Sequence, residues 1–345
     1  MRAYIFTEGG PEFGYGHISR CSALYDALVD EMGISCTMLI AGDAKVADNI
    51  EYRHQKWYDP ESLKDLDFSD ALVIADSYHA PAEFYAFIAA RAKTALFLDD
   101  TMRIDYPAPS YVLNPALSAE KMSYPKKDGL RYLLGIEYAL IRTAFNRKVP
   151  QTAVQDQSGT RQPPQDEAKP GKLPQCTSRN HILIAMGGGD TANITRPVLH
   201  SVCMRLPSSP VIVIVGKGYR DPAGLEQENR SSAAGSVEIV HDASAEQMRD
   251  IMQKSAVAFS AGGQTLYELL RMRTPTIAFQ IAENQSGSLE AFRKFGIIGR
   301  IYTPSEADLA VRDYCTSAPA IPPPILDGQG ASRVICKVTQ NHNHS

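Results

Sequence analysis

Short runs of β-branched and other apolar residues recur along the chain with stretches of helix length between them. That alternation predicts parallel βαβ units rather than an all-β or all-α protein. Strands are expected at Arg2 to Phe6, Thr37 to Ile40, Ala71 to Ala75, Ala95 to Leu98 and Tyr111 to Leu113. A second series is expected at His181 to Met186, Val211 to Val215, Val237 to Val240, Ala256 to Ser260 and Thr276 to Phe279. The runs are nearly continuous in apolar residues, which implies sheets covered on both faces. Residues 149–180 are rich in Pro, Gln, Ser, Gly and charge and almost empty of large apolar side chains, so they read as a polar linker or insertion. The expected fold class is therefore α/β, with two Rossmann-like domains facing a cleft. The first would span 1–148 and the second 181–318, followed by a Pro-rich tail at 319–345. Pro319 and Pro322 to Pro324 break regular structure there, and Asn341 to Ser345 are expected to fray.

Composition narrows the function classes. In 345 residues, Lys+Arg 35 against Asp+Glu 39 gives 35 − 39 = −4, without the basic excess of a nucleic-acid-binding protein. The longest apolar runs, such as Val211 to Val215, are strand-sized and far short of the ~20 residues of a membrane span. The opening residues Met1 to Phe6 lack the apolar stretch of a signal peptide. Cys21, Cys36, Cys176, Cys203, Cys315 and Cys336 are scattered with no Cys-x-x-Cys, which predicts free thiols in a reducing cytoplasm and no metal site. No cofactor is expected.

Ligands of open parallel sheets bind beyond the carboxyl ends of the strands, so the chemistry should lie in the loops that follow them. After the first strand comes Gly14-Tyr15-Gly16-His17-Ile18-Ser19-Arg20. Gly14-x-Gly16 resembles the start of a dinucleotide fingerprint. The sixth position is Ser19 rather than Gly, however, and the loop from Phe6 is too long for that tight turn. What remains is a glycine loop open to a ligand, with His17 near a helix start whose positive end favours the neutral, base-competent imidazole. A histidine that merely caps the turn is the alternative.

The second half repeats the logic. Gly187-Gly188-Gly189-Asp190 follows a strand and precedes a helix start, a pattern that can hold phosphate through backbone N–H groups or can simply be a turn that needs glycine. Ser260-Ala261-Gly262-Gly263-Gln264 leads into a helix with Glu268 in its first turns, where a carboxylate could accept two ribose hydroxyls or lie on the helix surface. Asp76 and the Asp99-Asp100 pair end strands of the first half, and helix capping is as good a reading of each as catalysis.

Taken together, Gly14 to Arg20, Asp76-Ser77-Tyr78, Leu113-Asn114, Tyr138 to Arg142, Met186 to Asp190, and Ser260 to Gly263 with Glu268 resemble the UDP-sugar hydrolases of pseudaminic acid biosynthesis. The likeness runs over most of residues 1 to about 300. It implies a glycosyltransferase B-like fold, related to the transferase that makes lipid II. It also implies metal-independent hydrolysis of UDP-2,4-diacetamido-2,4,6-trideoxy-β-L-altropyranose to UDP and free sugar. On the same likeness the catalytic histidine falls on His17 and the active-site tyrosine on Tyr78, with Asn114 lining the sugar pocket. Gly187, Gly188 and Asp190 fall near the diphosphate, Glu268 on the ribose, and Asn284 and Gln285 beside the nucleotide. Arg20, Asp76, Gly14, Gly16, Ser260, Gly262 and Gly263 complete the expected substrate site. Phe6-Thr7-Glu8 stands where the family pattern reads Arg-x-Asp, and Gln264 where many relatives carry serine.

The mechanism this implies is inverting: His17 draws a proton from a water that attacks the anomeric carbon, Tyr78 positions the water or His17, and UDP leaves from the opposite face. The rivals are a transferase with a sugar or lipid hydroxyl in place of water, and a non-catalytic nucleotide-sugar-binding protein. Release of UDP without an acceptor separates the three.

Overall fold

The computed structural model describes residues 1–146, 179–231 and 236–340. Nearly all of the 149–180 linker and the whole of 341–345 lie outside these residues. The first sheet consists of β1 (Arg2–Gly9), β2 (Cys36–Gly42), β3 (Tyr52–His54), β4 (Ala71–Asp76), β5 (Thr94–Leu98), β6 (Ser110–Asn114) and β7 (Leu130–Leu134). The second consists of β8 (His181–Ala185), β9 (Val211–Val215), β10 (Val237–His241), β11 (Ser255–Ala261), β12 (Thr276–Phe279) and β13 (Ile301–Tyr302). The spatial orders are β3-β2-β1-β4-β5-β6-β7 and β10-β9-β8-β11-β12-β13, and every pairing is parallel. Both orders reverse direction beside the first strand of the sheet. The crevices beyond β1 and β4, and beyond β8 and β11, are therefore the switch points where such folds bind ligands.

The helices are α1 (Gly16–Asp26), α2 (Ala82–Ala89), α3 (Thr195–Arg205), α4 (Pro222–Ser231), α5 (Ala245–Lys254), α6 (Thr265–Arg271), α7 (Ser286–Lys294), α8 (Ala307–Thr316) and α9 (Gly330–Gln340). Both faces of each sheet are covered, as continuous apolar strands require. Along β1, Ala3 and Ile5 enter one core layer while Tyr4 and Phe6 enter the other. Along β8, Leu183 and Ala185 oppose Ile182 and Ile184 in the same way. Among the described residues, no helix is long and apolar enough to cross a membrane.

Four features depart from the sequence reading. The strands β3, β7 and β13 were not expected: β3 is three exposed residues, β13 is two, and Arg131 interrupts the apolar run of β7. Strand β1 does not end at Phe6. It runs on through Thr7, Glu8 and Gly9, because β2 pairs it as far as Gly9↔Gly42 and β4 as far as Thr7↔Asp76. The segment between Thr316 and Gly330 is irregular as its prolines demand, but the chain then forms α9 and returns to the first domain. There Ala331, Val334, Ile335 and Val338 join Leu24, Leu28, Leu96 and Leu98 in one core layer. Finally, residues 139–145 bridge the halves: Ala139, Ile141, Ala144 and Phe145 pack with Leu266, Leu269, Leu289 and Phe292 of the second domain.

Candidate active site

Helix α1 starts at Gly16, directly after a loop closed by the Gly10–Gly14 bridge, so His17 sits in its first turn facing the crevice beyond β1 and β4. Its side chain is 6% exposed. The imidazole Nδ1 lies 2.8 Å from Asp76 Oδ1, at the end of β4. One helical turn on, Arg20 reaches the same carboxylate with Nε to Oδ2 at 2.6 Å and Nη2 to Oδ1 at 2.5 Å. Its Nη1 donates to both oxygens of Asp100, at 2.9 and 2.8 Å. The i, i+3 spacing on one helix face is what lets His17 and Arg20 converge on Asp76.

Burial alone would raise the Asp76 pKa, but the charges of Arg20 and then His17 outweigh it and hold the carboxyl well below its usual range. An ionised Asp76 can only accept, so the neutral imidazole that bonds to it carries its proton on Nδ1 and leaves the Nε2 lone pair toward Glu8. Arg20 Nη2 also comes within 3.2 Å of Nδ1, and in this tautomer that approach is a contact rather than a hydrogen bond. Against Nε2, at 3.6 Å, lies the carboxylate of Glu8.

Tyr78 braces the histidine from the loop after β4. Its ring meets the imidazole edge-on, with centroids 4.6 Å apart, and its hydroxyl donates to Asp100 Oδ2 at 2.5 Å. Burial and the Asp100 charge push this phenol above its ordinary range, so it remains a protonated donor. Asp99, by contrast, is structural: it accepts from Met102 N at 2.9 Å, Tyr124 hydroxyl at 2.5 Å and Tyr106 hydroxyl at 3.2 Å.

The Asp76 cluster has a measurable consequence for stability. Its folded pKa and that of Glu8 are both lowered, the latter because hydrogen bonds from Ser77 and Tyr78 and the field of His17 overcome burial. Groups with depressed folded values stabilise the fold above their unfolded pKa values of ~3.9 and ~4.3, and that contribution disappears as pH falls below them. The free energy of unfolding should therefore fall steeply below about pH 5, and Asp76→Asn should flatten that fall. Parallel slopes for the two proteins in pH-dependent denaturation would contradict it.

In the second domain, Gly187 takes φ 85 and a side chain there would meet open space, as would one at Gly14, Gly16 or Gly263. Backbone at these four positions is open to approach. Gly188 is different: its carbonyl accepts from Gly218 N at 3.0 Å, and a Cβ on it would lie 2.7 Å from the Tyr15 ring. The loop before His17 thus touches the glycine loop after β8. Asp190, with φ 39, turns its carboxylate onto the N–H groups of Ile194 and Thr195 at 3.0 and 2.9 Å. It thereby satisfies N–H groups at the start of α3.

Other expected residues serve the frame more than the crevice. Asn114 is fully buried, donating to Tyr124 hydroxyl at 2.9 Å and accepting from Ala116 N at 3.0 Å. Ser260 is buried with its hydroxyl on Ala261 O at 3.2 Å, and Gly262 leaves no room for a side chain against Leu289. Glu268 is 2% exposed and takes Arg142 Nε at 2.7 Å across the domain boundary, where Gln264 also donates to Leu140 O at 2.5 Å. Asn284 is exposed, and Gln285 accepts from Ile281 N at 3.0 Å. The structure therefore unites His17, Arg20, Asp76 and Tyr78 in one network and adds Glu8 and Asp100. Asn114, Ser260, Glu268, Asn284 and Gln285 stand outside that network.

Among the described residues no group of three His, Cys, Asp or Glu is placed to hold a metal ion. Cys21, Cys36, Cys203, Cys315 and Cys336 are free thiols, and Cys176 lies outside the described residues.

No family profile matches the chain. It is 22% identical over 286 residues to a Helicobacter pylori protein named pseudaminic acid cytidylyltransferase and UDP-2,4-diacetamido-2,4,6-trideoxy-β-L-altropyranose hydrolase, covering 82% of this chain and 45% of that protein. It is 20% identical over 305 residues to an uncharacterized protein of Methanocaldococcus jannaschii, covering 85% and 58%. The chain spans about half the length of the curated relatives it matches. Among solved structures it is similar to the S. aureus MnaA–UDP co-structure, with TM-score 0.59 and 10% identity over 99% of this chain and 97% of the other. Neisseria meningitidis UDP-GlcNAc 2-epimerase bound to UDP-GlcNAc gives TM-score 0.59 and 11% identity, covering 99% and 100%. Acinetobacter baumannii MurG gives 0.52 and 11%, covering 99% and 98%. Two parallel-sheet α/β domains with these strand orders, alike to those structures over nearly the whole chain, make this a protein of glycosyltransferase B-like fold.

Proposed function

We propose that the chain hydrolyses a UDP-linked sugar at its anomeric carbon, with inversion, and that the sugar is a diacetamido-trideoxy hexose on the way to a pseudaminic-type acid. The observation that carries this reading is the Asp76–His17 pair at the β1/β4 switch point, with Nδ1 2.8 Å from the carboxylate, which leaves Nε2 to serve as the base. Likeness to the H. pylori protein, whose name includes this hydrolase activity, supports the substrate class. In the reaction a water gives its proton to His17 Nε2, its oxygen bonds to the anomeric carbon, and the bond from that carbon to the diphosphate breaks with its electron pair. Tyr78 holds the imidazole by ring contact, and the Asp100 and Arg20 pairs hold Asp76 and Tyr78 in turn. UDP is a good leaving group, so its developing charge needs only stabilisation by backbone N–H groups such as those of the Gly187 loop. The nucleotide lies on the second domain with Asn284 and Gln285 beside it, and a contact of Glu268 with the ribose requires its carboxylate to share or release Arg142 Nε, 2.7 Å away.

Incubation of the purified protein with UDP-sugars and no acceptor tests the reading. UDP and free sugar are expected. Release only with an acceptor would identify a transferase, an epimeric UDP-sugar would identify an epimerase, and binding without conversion would identify a sensor. Glu268→Ala should raise KM for the UDP-sugar more than it lowers kcat; an unchanged KM removes Glu268 from the nucleotide site.

A further inference from the structure

Glu8 is a charged residue one short of the end of the buried strand β1, and its side chain is 1% exposed. Such a group is retained only with its hydrogen bonds satisfied. Four donors meet it: Ser77 hydroxyl at 2.6 Å and Tyr58 hydroxyl at 2.8 Å on Oε2, and Tyr78 N at 2.9 Å and His79 Nδ1 at 3.0 Å on Oε1. These bonds fix the carboxylate on the opposite side of the imidazole from Asp76. Oε1 then stands 3.6 Å from Nε2, too far for a direct hydrogen bond and close enough for one water to touch both.

We propose that Glu8 is the second carboxylate of the His17 site: it holds the attacking water against Nε2, and its charge stabilises the imidazolium formed once the water's proton has transferred. This rests on the hydrolytic reading above. The balance is simple. The water's proton moves to Nε2, its oxygen pair forms the bond to the anomeric carbon, UDP takes the electrons of the broken bond, and the imidazolium later returns its proton to solvent. A carboxylate 3.6 Å from Nε2 stabilises the positive charge that forms on the ring as the water's proton arrives. The charged and titratable groups around the ring are Asp76 from β4, Arg20 from α1, Tyr78 and His79 from the following loop, and Glu8 from β1, with Asp100 behind Arg20. Glu8 acts through His17 and the water, which makes it a positioning residue whose charge, beyond its shape, matters.

Glu8→Gln keeps the shape, and the hydroxyls of Ser77 and Tyr58 can turn to accept from the new amide. The acid limb of the kcat/KM profile for UDP release should move to lower pH by about one unit, and kcat should fall about tenfold. Glu8→Asp should restore part of both. A loss of activity with the limb unmoved would overturn the proposal, because that is what a purely structural glutamate gives. Proton uptake by His17, followed by NMR in wild type and Glu8→Gln, reads the same coupling without turnover. It should shift to lower pH in the variant, and coincident curves overturn the proposal. If wild type releases no UDP from any UDP-sugar, the hydrolytic reading fails, and the NMR comparison alone still decides whether Glu8 acts on His17.

Discussion

Replacing His17 by alanine should lower turnover of the UDP-sugar by about 10²–10⁴-fold, the usual contribution of general-base catalysis, while UDP still binds. The expectation follows from where the residue's contacts lie. His17 is bonded to Asp76 and braced by Tyr78, all within the first domain, and it makes none of the contacts of the Gly187 loop. Removing the imidazole removes the base and leaves the second domain's nucleotide surface intact. Measuring kcat beside the Kd for UDP by calorimetry separates the two effects. Equal turnover in wild type and variant would sink the assignment, and loss of UDP binding in parallel with turnover would recast His17 as a binding residue.

The largest effect on stability should come from Arg20→Ala. Arg20 is bonded to both Asp76 and Asp100, with four contacts of 2.5–2.9 Å. Its truncation leaves a fully buried carboxylate and a second one nearby without their partner. Breaking a buried pair from one side costs about 3–5 kcal/mol. Arg20→Lys should recover little, since one ammonium cannot serve two carboxylates with a planar fork of donors. Chemical denaturation reads the result directly; a variant within about 1 kcal/mol of wild type would show that the carboxylates take other partners or protons at small cost.

The parts of this fold that were legible in the sequence are those where one physical signal dominates. Val211 to Val215 is a strand on apolar continuity alone, and the glycine loops after β1, β8 and β11 mark where the crevices lie. Signals that compete were harder. Strand β1 was expected to end at Phe6, because Glu8 and two glycines suit strands poorly, yet two flanking partners carry the pairing to Gly9. The likeness already sets Phe6-Thr7-Glu8 at the Arg-x-Asp position, and a strand that runs to Gly9 adds the physical reason, since it puts Glu8 at the carboxyl end of β1 beside the crevice. Helix α9 carried its own signal in the spacing of Ala331, Val334, Ile335 and Val338, masked by the prolines before it. Asp190 and Asn114 show the reverse. Their positions after strands looked functional, and the structure gives their side chains to local backbone and to Tyr124. From sequence a capping carboxylate and a ligand-facing one are the same letter, and only the geometry of neighbouring N–H groups separates them.

In the proposed reaction water attacks carbon and His17 activates it. The most direct measurement is turnover of a UDP-diacetamido sugar in ¹⁸O-labelled water without acceptor, with UDP analysed by mass spectrometry and the nascent sugar anomer followed by NMR before it equilibrates. Unlabelled UDP and a free sugar of inverted anomeric configuration are expected, with both forming about 10²–10⁴-fold more slowly in His17→Ala. Label in the UDP, or a first-formed sugar of retained configuration, would contradict it.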